Sequence, residues 1–175
     1  NNTQSQAASL WLFKDGINSL FGSAEISFNK YFFITATGRN DWFSVLPVKN
    51  NSKFYPSIGG SLLFTEALNI SSDVLSYGKA RIAWGQVATV NLGAYNTFIS
   101  YNLVGQGHLG LPLGSYGFDS FPNPDIAPGL TTELEFGTDL RFLNGKISTG
   151  FTYYDQKTEG DILMVPVSRT TGFTK

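Results

Sequence analysis

Residues 131–155 read TTELEFGTDLRFLNGKISTGFTYYD, and the spacing of their apolar positions decides the fold. Leu134, Phe136, Leu140 and Phe142, with Thr138 in the same series, alternate with Glu133, Glu135, Gly137, Asp139 and Arg141. A period of two is that of a β-strand with two chemically different faces. Asn144-Gly145 supplies residues that tolerate the positive φ of a tight hairpin turn, and Ile147, Thr149, Phe151 and Tyr153 alternate in a second run. Each arm is about ten residues long, more than the roughly five or six of a typical soluble strand. It matches the roughly nine to eleven that a tilted strand needs to cross a bilayer. An apolar and a polar face at that length predict a hairpin of a transmembrane β-barrel.

The design recurs upstream. Leu20, Gly22, Ala24, Ile26 and Phe28 alternate with Phe21, Ser23, Glu25 and Ser27, then Asn29-Lys30 predicts a turn. Residues 31–39 set Phe32, Ile34 and Ala36 against Phe33, Thr35, Thr37 and Arg39. A third strand is expected over 54–64, with Ile58, Gly60, Leu62 and Phe64 in one series and Pro56 tolerable only near a strand end or edge. A fourth, over 78–87, sets Ala80, Ile82 and Trp84 against Lys79, Arg81, Ala83 and Gly85. Charges on one strand face need water or counter-charges, and a hydrated barrel lumen provides both. The connections at 29–30 and 144–145 are tight, those at 40–52 and 88–129 are long, and 65–76 is intermediate, with a helical turn expected at Asp73-Val74-Leu75. Residues 88–129 read as irregular, and 161–167 are expected to extend a strand beyond the membrane. The expected division is a lead-in over 1–17 and a barrel domain over 18–175.

Composition agrees. The chain is 15% aromatic, with 15 Phe, 8 Tyr, 19 Gly and no Cys, which suits an all-β chain rich in turns and aromatic girdles. A transmembrane helix would need about eighteen consecutive apolar residues, and no run approaches that; a barrel needs apolar residues only at alternate positions. A net charge of −1 with scattered basic residues gives no footprint for nucleic acid. Without Cys there is neither a disulfide scaffold nor thiol chemistry. The opening NNTQSQAASLW has no basic stretch leading into an apolar one, so no signal peptide is expected. The smallest barrels have about eight strands, so about six predict a fragment of a larger protein.

Trp42, Phe43, Tyr95, Tyr116, Phe118 and Phe121 fall in the expected outer loops, where aromatics can stack on sugar rings or anchor a partner. Packing the loops together, or joining the interfacial girdle, is the competing use. Glu25, Arg39, Lys79, Arg81, Glu133, Glu135, Asp139 and Arg141 are expected to line the lumen. Glu133, Glu135, Asp139 and Arg141 mimic the paired carboxylates of a glycosidase, yet residues two apart on a strand simply share a face. His108, the only His, has no partners at metal or catalytic spacing. Asp119 and Asp125 lack the calcium-loop pattern. No catalytic residue, metal or cofactor is therefore expected.

Four blocks then carry a family likeness: YFFITATGRNDW (31–42), NNSKFYPSIGGSLLFTE (50–66), LSYGKARIAWGQV (75–87) and FPNPDIAPGLTTELEFGTDLRFLNGKISTGFTYYDQKTEGDILMVPVSRTTGF (121–173). In this order they resemble the barrel region of the SusC/RagA-type TonB-dependent outer-membrane transporters of Bacteroidota. The resemblance implies an antiparallel transmembrane β-barrel segment, part of a plugged barrel of about 22 strands, with the plug and its TonB contact outside these residues. It further implies a place in the lipid of a Gram-negative, Bacteroidota-like outer membrane and active import of oligosaccharides or peptides. A SusD-like surface lipoprotein would cap the barrel, and TonB would act through the plug. Residues 40–52, 88–129 and 156 onward would face outwards and the tight turns the periplasm. The alternative is a soluble all-β carbohydrate-binding or adhesion module, whose apolar faces would pack two sheets together.

Overall fold

The computed structural model describes residue 10 and residues 12–117 and 120–173. The alternating runs become β1 (Ile17–Phe28), β2 (Phe32–Phe43), β3 (Ser52–Leu63), β4 (Leu75–Thr89), β5 (Tyr101–His108), β6 (Leu111–Tyr116), β7 (Gly129–Phe142) and β8 (Ile147–Glu159). Six form one sheet in the order β1-β2-β3-β4-β7-β8, and β5 pairs with β6 separately. All neighbours in the large sheet are antiparallel. Its strands have 12 to 15 residues, enough to cross a bilayer with a tilt.

Residues directly opposed across an antiparallel ladder share a face. One row runs Ile26, Ile34, Gly60, Ile82, Phe136, Tyr153 across the six strands. The adjacent row runs Glu25, Thr35, Gly59, Ala83, Glu135, Tyr154 and lies on the other face. Polarity is inverted relative to a soluble protein: Ile26 is 70% exposed, Ile58 53% and Phe136 43%, whereas Asp41 is 4% exposed. The accessible surface is 13436 Å², against roughly 8,400 Å² for a compact monomer of this mass. Such a sheet is completed from outside, by lipid on its apolar face and by a barrel interior on the other. A sandwich would need a second sheet over the apolar face, and the other sheet among the described residues is only the β5–β6 hairpin.

The connections sort by end. Asn29 (φ 48°) and Lys30 (φ 61°) are the centre of the three-residue turn, 29–31, from β1 to β2, with positive φ of the kind whose twist suits a hairpin. Between β7 and β8 the turn sits one residue earlier than the sequence suggests. Phe142 faces Ile147, and Gly145 N–H donates to the Phe142 carbonyl at 3.1 Å, so Leu143 (φ 53°) and Asn144 (φ 56°) are its centre and Gly145 (φ 86°) follows. The third connection at this end carries α1 (Phe64–Ala67). The helical turn is therefore not at Asp73–Leu75, where Leu75 already begins β4. The Phe64 ring lies where a Cβ on Gly78 would be, and buried Thr65 accepts from Gly78 N–H at 3.1 Å. These contacts pull residue 64 out of the expected third strand.

At the opposite end lie the described residues 44–51, 90–117 with 120–128, and 160–173. The second of these is not wholly irregular, because β5 and β6 form a hairpin within it around Leu109 (φ 51°) and Gly110 (φ 79°). Residues 161–167 carry no ladder; Gly160 (φ 71°) ends β8, and Pro166 lacks the N–H that pairing needs. Pro56 is inside β3, yet β3 pairs with β4 only from Ser57 onward, so the proline borders an unpaired edge. Ile82→Lys in the full-length protein is expected to lower stability in a bilayer by about 2–4 kcal/mol, and Ala83→Lys by less than about 1 kcal/mol. Urea unfolding in lipid vesicles measures both, and equal losses would contradict the assignment of faces.

Candidate functional site

The register brings all eight charged residues expected on the lumen side to one face: Glu25, Arg39, Lys79, Arg81, Glu133, Glu135, Asp139 and Arg141. Arg81 is their centre. Its cross-strand partner is Gly137, where a Cβ would overlap the guanidinium, so the missing side chain lets Arg81 lie flat across β7. From there Nε donates to Glu135 Oε1 at 3.1 Å, Nη1 to Asp139 Oδ2 at 2.8 Å and Nη2 to Thr152 Oγ1 at 2.6 Å. The two carboxylates sit two positions either side of Gly137, the spacing at which strand residues share a face, and the planar fork of arginine can reach both. One side chain thus ties β4, β7 and β8 together.

A second cluster lies towards the long-connection end of β2. Arg39 Nε donates to Asp41 Oδ1 at 2.7 Å and Nη2 to Ser19 Oγ at 2.9 Å, while the Tyr55 hydroxyl donates to the other Asp41 oxygen. Asp41 and Tyr55 are buried, and a carboxylate so placed is tolerable only with such partners. Elsewhere on this face Lys79 stands opposite Asp139, and the Arg141 guanidinium lies 4.9 Å from the centre of the Tyr77 ring. The Thr35 hydroxyl donates to Glu25 at 3.3 Å, and Glu133 faces Gly85 and Gln156. Glu135 and Asp139 are both engaged by Arg81, an arrangement for holding strands rather than for flanking a scissile bond. Among the described residues no group of His, Cys, Asp or Glu is placed to hold a metal ion.

The aromatic candidates divide. Trp42 and Phe43 are strand residues rather than loop residues, because the β1–β2 ladder continues to Ile17 opposite Phe43. Trp42 shares the parity of the apolar face, at a strand end where an interfacial aromatic belongs, and Phe43 is buried. Tyr95 is exposed in a turn at φ 67°. Tyr116 and Phe121 meet around Phe173, with ring centres 4.5 Å and 5.2 Å from it, and Tyr101 lies 5.6 Å from Tyr116. Phe118 and Asp119 lie outside the described residues. Sequence reasoning missed Tyr55, Gly137, Thr152 and Phe173. For Gly137 there was a signal, a glycine interrupting a charged series on a strand; for Phe173 there was none.

Long amphipathic strands in up-and-down order, with apolar residues on one face and ion pairs on the other, define a segment of transmembrane β-barrel wall. The chain belongs to the family described as TonB dependent receptor-like, beta-barrel, whose sequence model matches residues 1–174. TonB-dependent receptor P26 of Formosa agariphila is 27% identical over 163 residues, covering 90% of this chain and 16% of that protein. TonB-dependent receptor SusC of Bacteroides thetaiotaomicron is 29% identical over 160 residues, 89% of this chain and 16% of that protein. Among solved structures, the RagAB peptide importer in its closed-closed state superposes with a TM-score of 0.84 at 22% identity, covering 91% of this chain and 17% of that one. In its open-open state the TM-score is 0.80. The chain spans about a sixth of the curated relatives it matches, and the resemblance to SusC/RagA-type transporters holds in both sequence and fold.

Arg81→Leu leaves two neighbouring carboxylates without their counter-charge and is expected to lower the unfolding midpoint of the full-length protein modestly, because solvent screens the cluster. Arg81→Lys recovers less than half of this, since an ammonium lacks the fork. Gly137→Leu evicts the guanidinium and matches Arg81→Leu. Unfolding midpoints in detergent measure all three, and a Gly137→Leu protein as stable as the parent would contradict the packing of Arg81 on Gly137.

Proposed function

We infer that this chain is part of the barrel wall of an outer-membrane TonB-dependent transporter that actively imports oligosaccharides or peptides. The observation that carries the reading is the inverted polarity of the six-stranded sheet, with isoleucine and phenylalanine rows exposed and carboxylates paired on the opposite face. Family membership and the likeness to SusC and RagAB support it. In this reading the apolar face meets lipid, and Glu25, Arg39, Lys79, Arg81, Glu133, Glu135, Asp139 and Arg141 line the lumen, facing a plug supplied by another part of the protein. The short-turn end is periplasmic and the long-connection end extracellular. There a SusD-like lipoprotein seats over the rim, with Tyr95 a candidate contact, while Tyr116 and Phe121 hold the outer segments together through Phe173. TonB drives transport through the plug.

The test uses the full-length protein in its own outer membrane. Uptake of labelled oligosaccharide and peptide mixtures is expected to fall to background when TonB is deleted, and a surface lipoprotein is expected to co-purify in mild detergent. Uptake that persists unchanged without TonB would overturn the reading.

A further inference from the structure

The rim at the long-connection end contains an asymmetric pair of segments. Residues 44–51 form a fixed post. Phe43 and Leu46 are buried beneath it, and Phe43 N–H donates to the Asn51 carbonyl at 2.9 Å, Asn50 N–H to Pro47 at 2.8 Å and Ser44 N–H to Gly16 at 3.0 Å. Gly16 N–H returns a bond to Ser44 Oγ at 2.8 Å. Residues 122–128, PNPDIAP, form a stiff strap: three prolines restrict the backbone, and Asp125 N–H donates to Asn123 Oδ1 at 2.9 Å, an Asx-type turn.

Strap and post meet at one place. Lys49 Nζ pairs with the Asp125 carboxylate, and Asn50 Nδ2 donates to the carbonyls of Asp125 at 3.0 Å and Ile126 at 3.2 Å. These are the side-chain hydrogen bonds joining the strap to other segments among the described residues. The Lys49 and Asp125 side chains are 56% and 73% exposed, so the ion pair is weak and screened by salt. The strap also lines a cavity of about 810 Å³, to which Asn123, Asp125 and Ile126 contribute together with Leu163, Met164 and Val165. That volume is within the range of small-ligand sites. A rigid strap, held to a fixed post by exposed and screened contacts beside a cavity, has the construction of a latch.

We propose that Lys49 and Asn50 latch the 122–128 strap closed over the outer-rim cavity, and that breaking the Lys49–Asp125 pair releases the strap and reshapes the cavity. The inference goes beyond the transport reading, because it rests on contacts within the chain and holds whatever solute is carried. Nitroxide labels at Val48→Cys and Ala127→Cys in the full-length protein, with any cysteine outside these 175 residues replaced by Ser (there is none within them), report the separation of post and strap by pulsed electron resonance. At low salt one narrow distance is expected. Lys49→Glu, or 1 M NaCl on the unaltered pair (about a 3 Å screening length), is expected to move at least half of the population to longer distances. The charge swap Lys49→Glu with Asp125→Lys is expected to restore the narrow distance, which separates loss of the ion pair from damage done by the substitution at Lys49 itself. A Lys49→Glu distribution identical to the parent's overturns the latch, as does a swap that stays open. Neither outcome bears on TonB dependence, so the latch and the transport reading can fail separately.

Discussion

The antiparallel ladder is the constraint on which the rest of this structure depends, and what it must get right is its register. A slip of one residue between two strands would keep almost all of the ladder's hydrogen bonds, so the bonds do not choose the register. The faces do. A slip between β4 and β7 would carry Phe136 to the side of Arg81 and place Glu135 beside Ile82, inverting both faces at once. Turning ionised side chains towards hydrocarbon costs several kcal/mol, which exceeds the roughly 1 kcal/mol net of a single ladder bond. Backbone bonding therefore holds the sheet, while side-chain polarity specifies it. With so little apolar surface buried inside the segment, no ordinary core could take over that task.

The polar face solves the complementary problem of keeping charges on a strand without self-repulsion. Arg81 sits between Glu135 and Asp139 because Gly137 gives it room, and Arg39 with Tyr55 satisfies a buried Asp41. Both clusters reach across strands, Arg81 from β4 to β7 and β8 and the Arg39–Asp41 pair of β2 to Ser19 of β1 and Tyr55 of β3, so they oppose the same slip that the apolar rows oppose. A single glycine on β7 is thus as much a register device as the phenylalanine before it. On β4 the same economy appears at Gly78, whose missing side chain receives the Phe64 ring and fixes the connection between β3 and β4.

The strands were legible in the sequence because a half-lipid, half-water environment writes period two directly into the residue order. What was not legible has specific causes. The β5–β6 hairpin is hidden because Gly105, Gly107, Gly110 and Gly114 interrupt its alternation and carry no polarity signal. The helical turn was misplaced because the contact that sets it, Phe64 on Gly78, is tertiary. Trp42 and Phe43 read as loop because turn-forming residues surround them, yet pairing with β1 keeps them in the strand. The Arg81 cluster needs the knowledge that β4 pairs with β7 and passes over β5 and β6. Composition and spacing along one strand could list its members but could not bring them together.

The two ends of the sheet obey different physics. At the short-turn end two connections are set by local backbone geometry, positive φ at Asn29 and Lys30 and at Leu143, Asn144 and Gly145, and the third by a helical turn seated on Gly78. Geometry of that kind leaves few alternatives and pins the register where each hairpin begins. At the other end, order comes from contacts between residues far apart in sequence, such as Lys49 with Asp125 and Tyr116 with Phe173. Neither of these contacts belongs to the six-stranded ladder, and exposed contacts of few partners are where local opening costs least. Rearrangement at the long-connection end therefore need not disturb the wall that spans the bilayer. A barrel can keep a rigid membrane-crossing wall and still offer a movable mouth, because the interactions that fix the one are not those that shape the other.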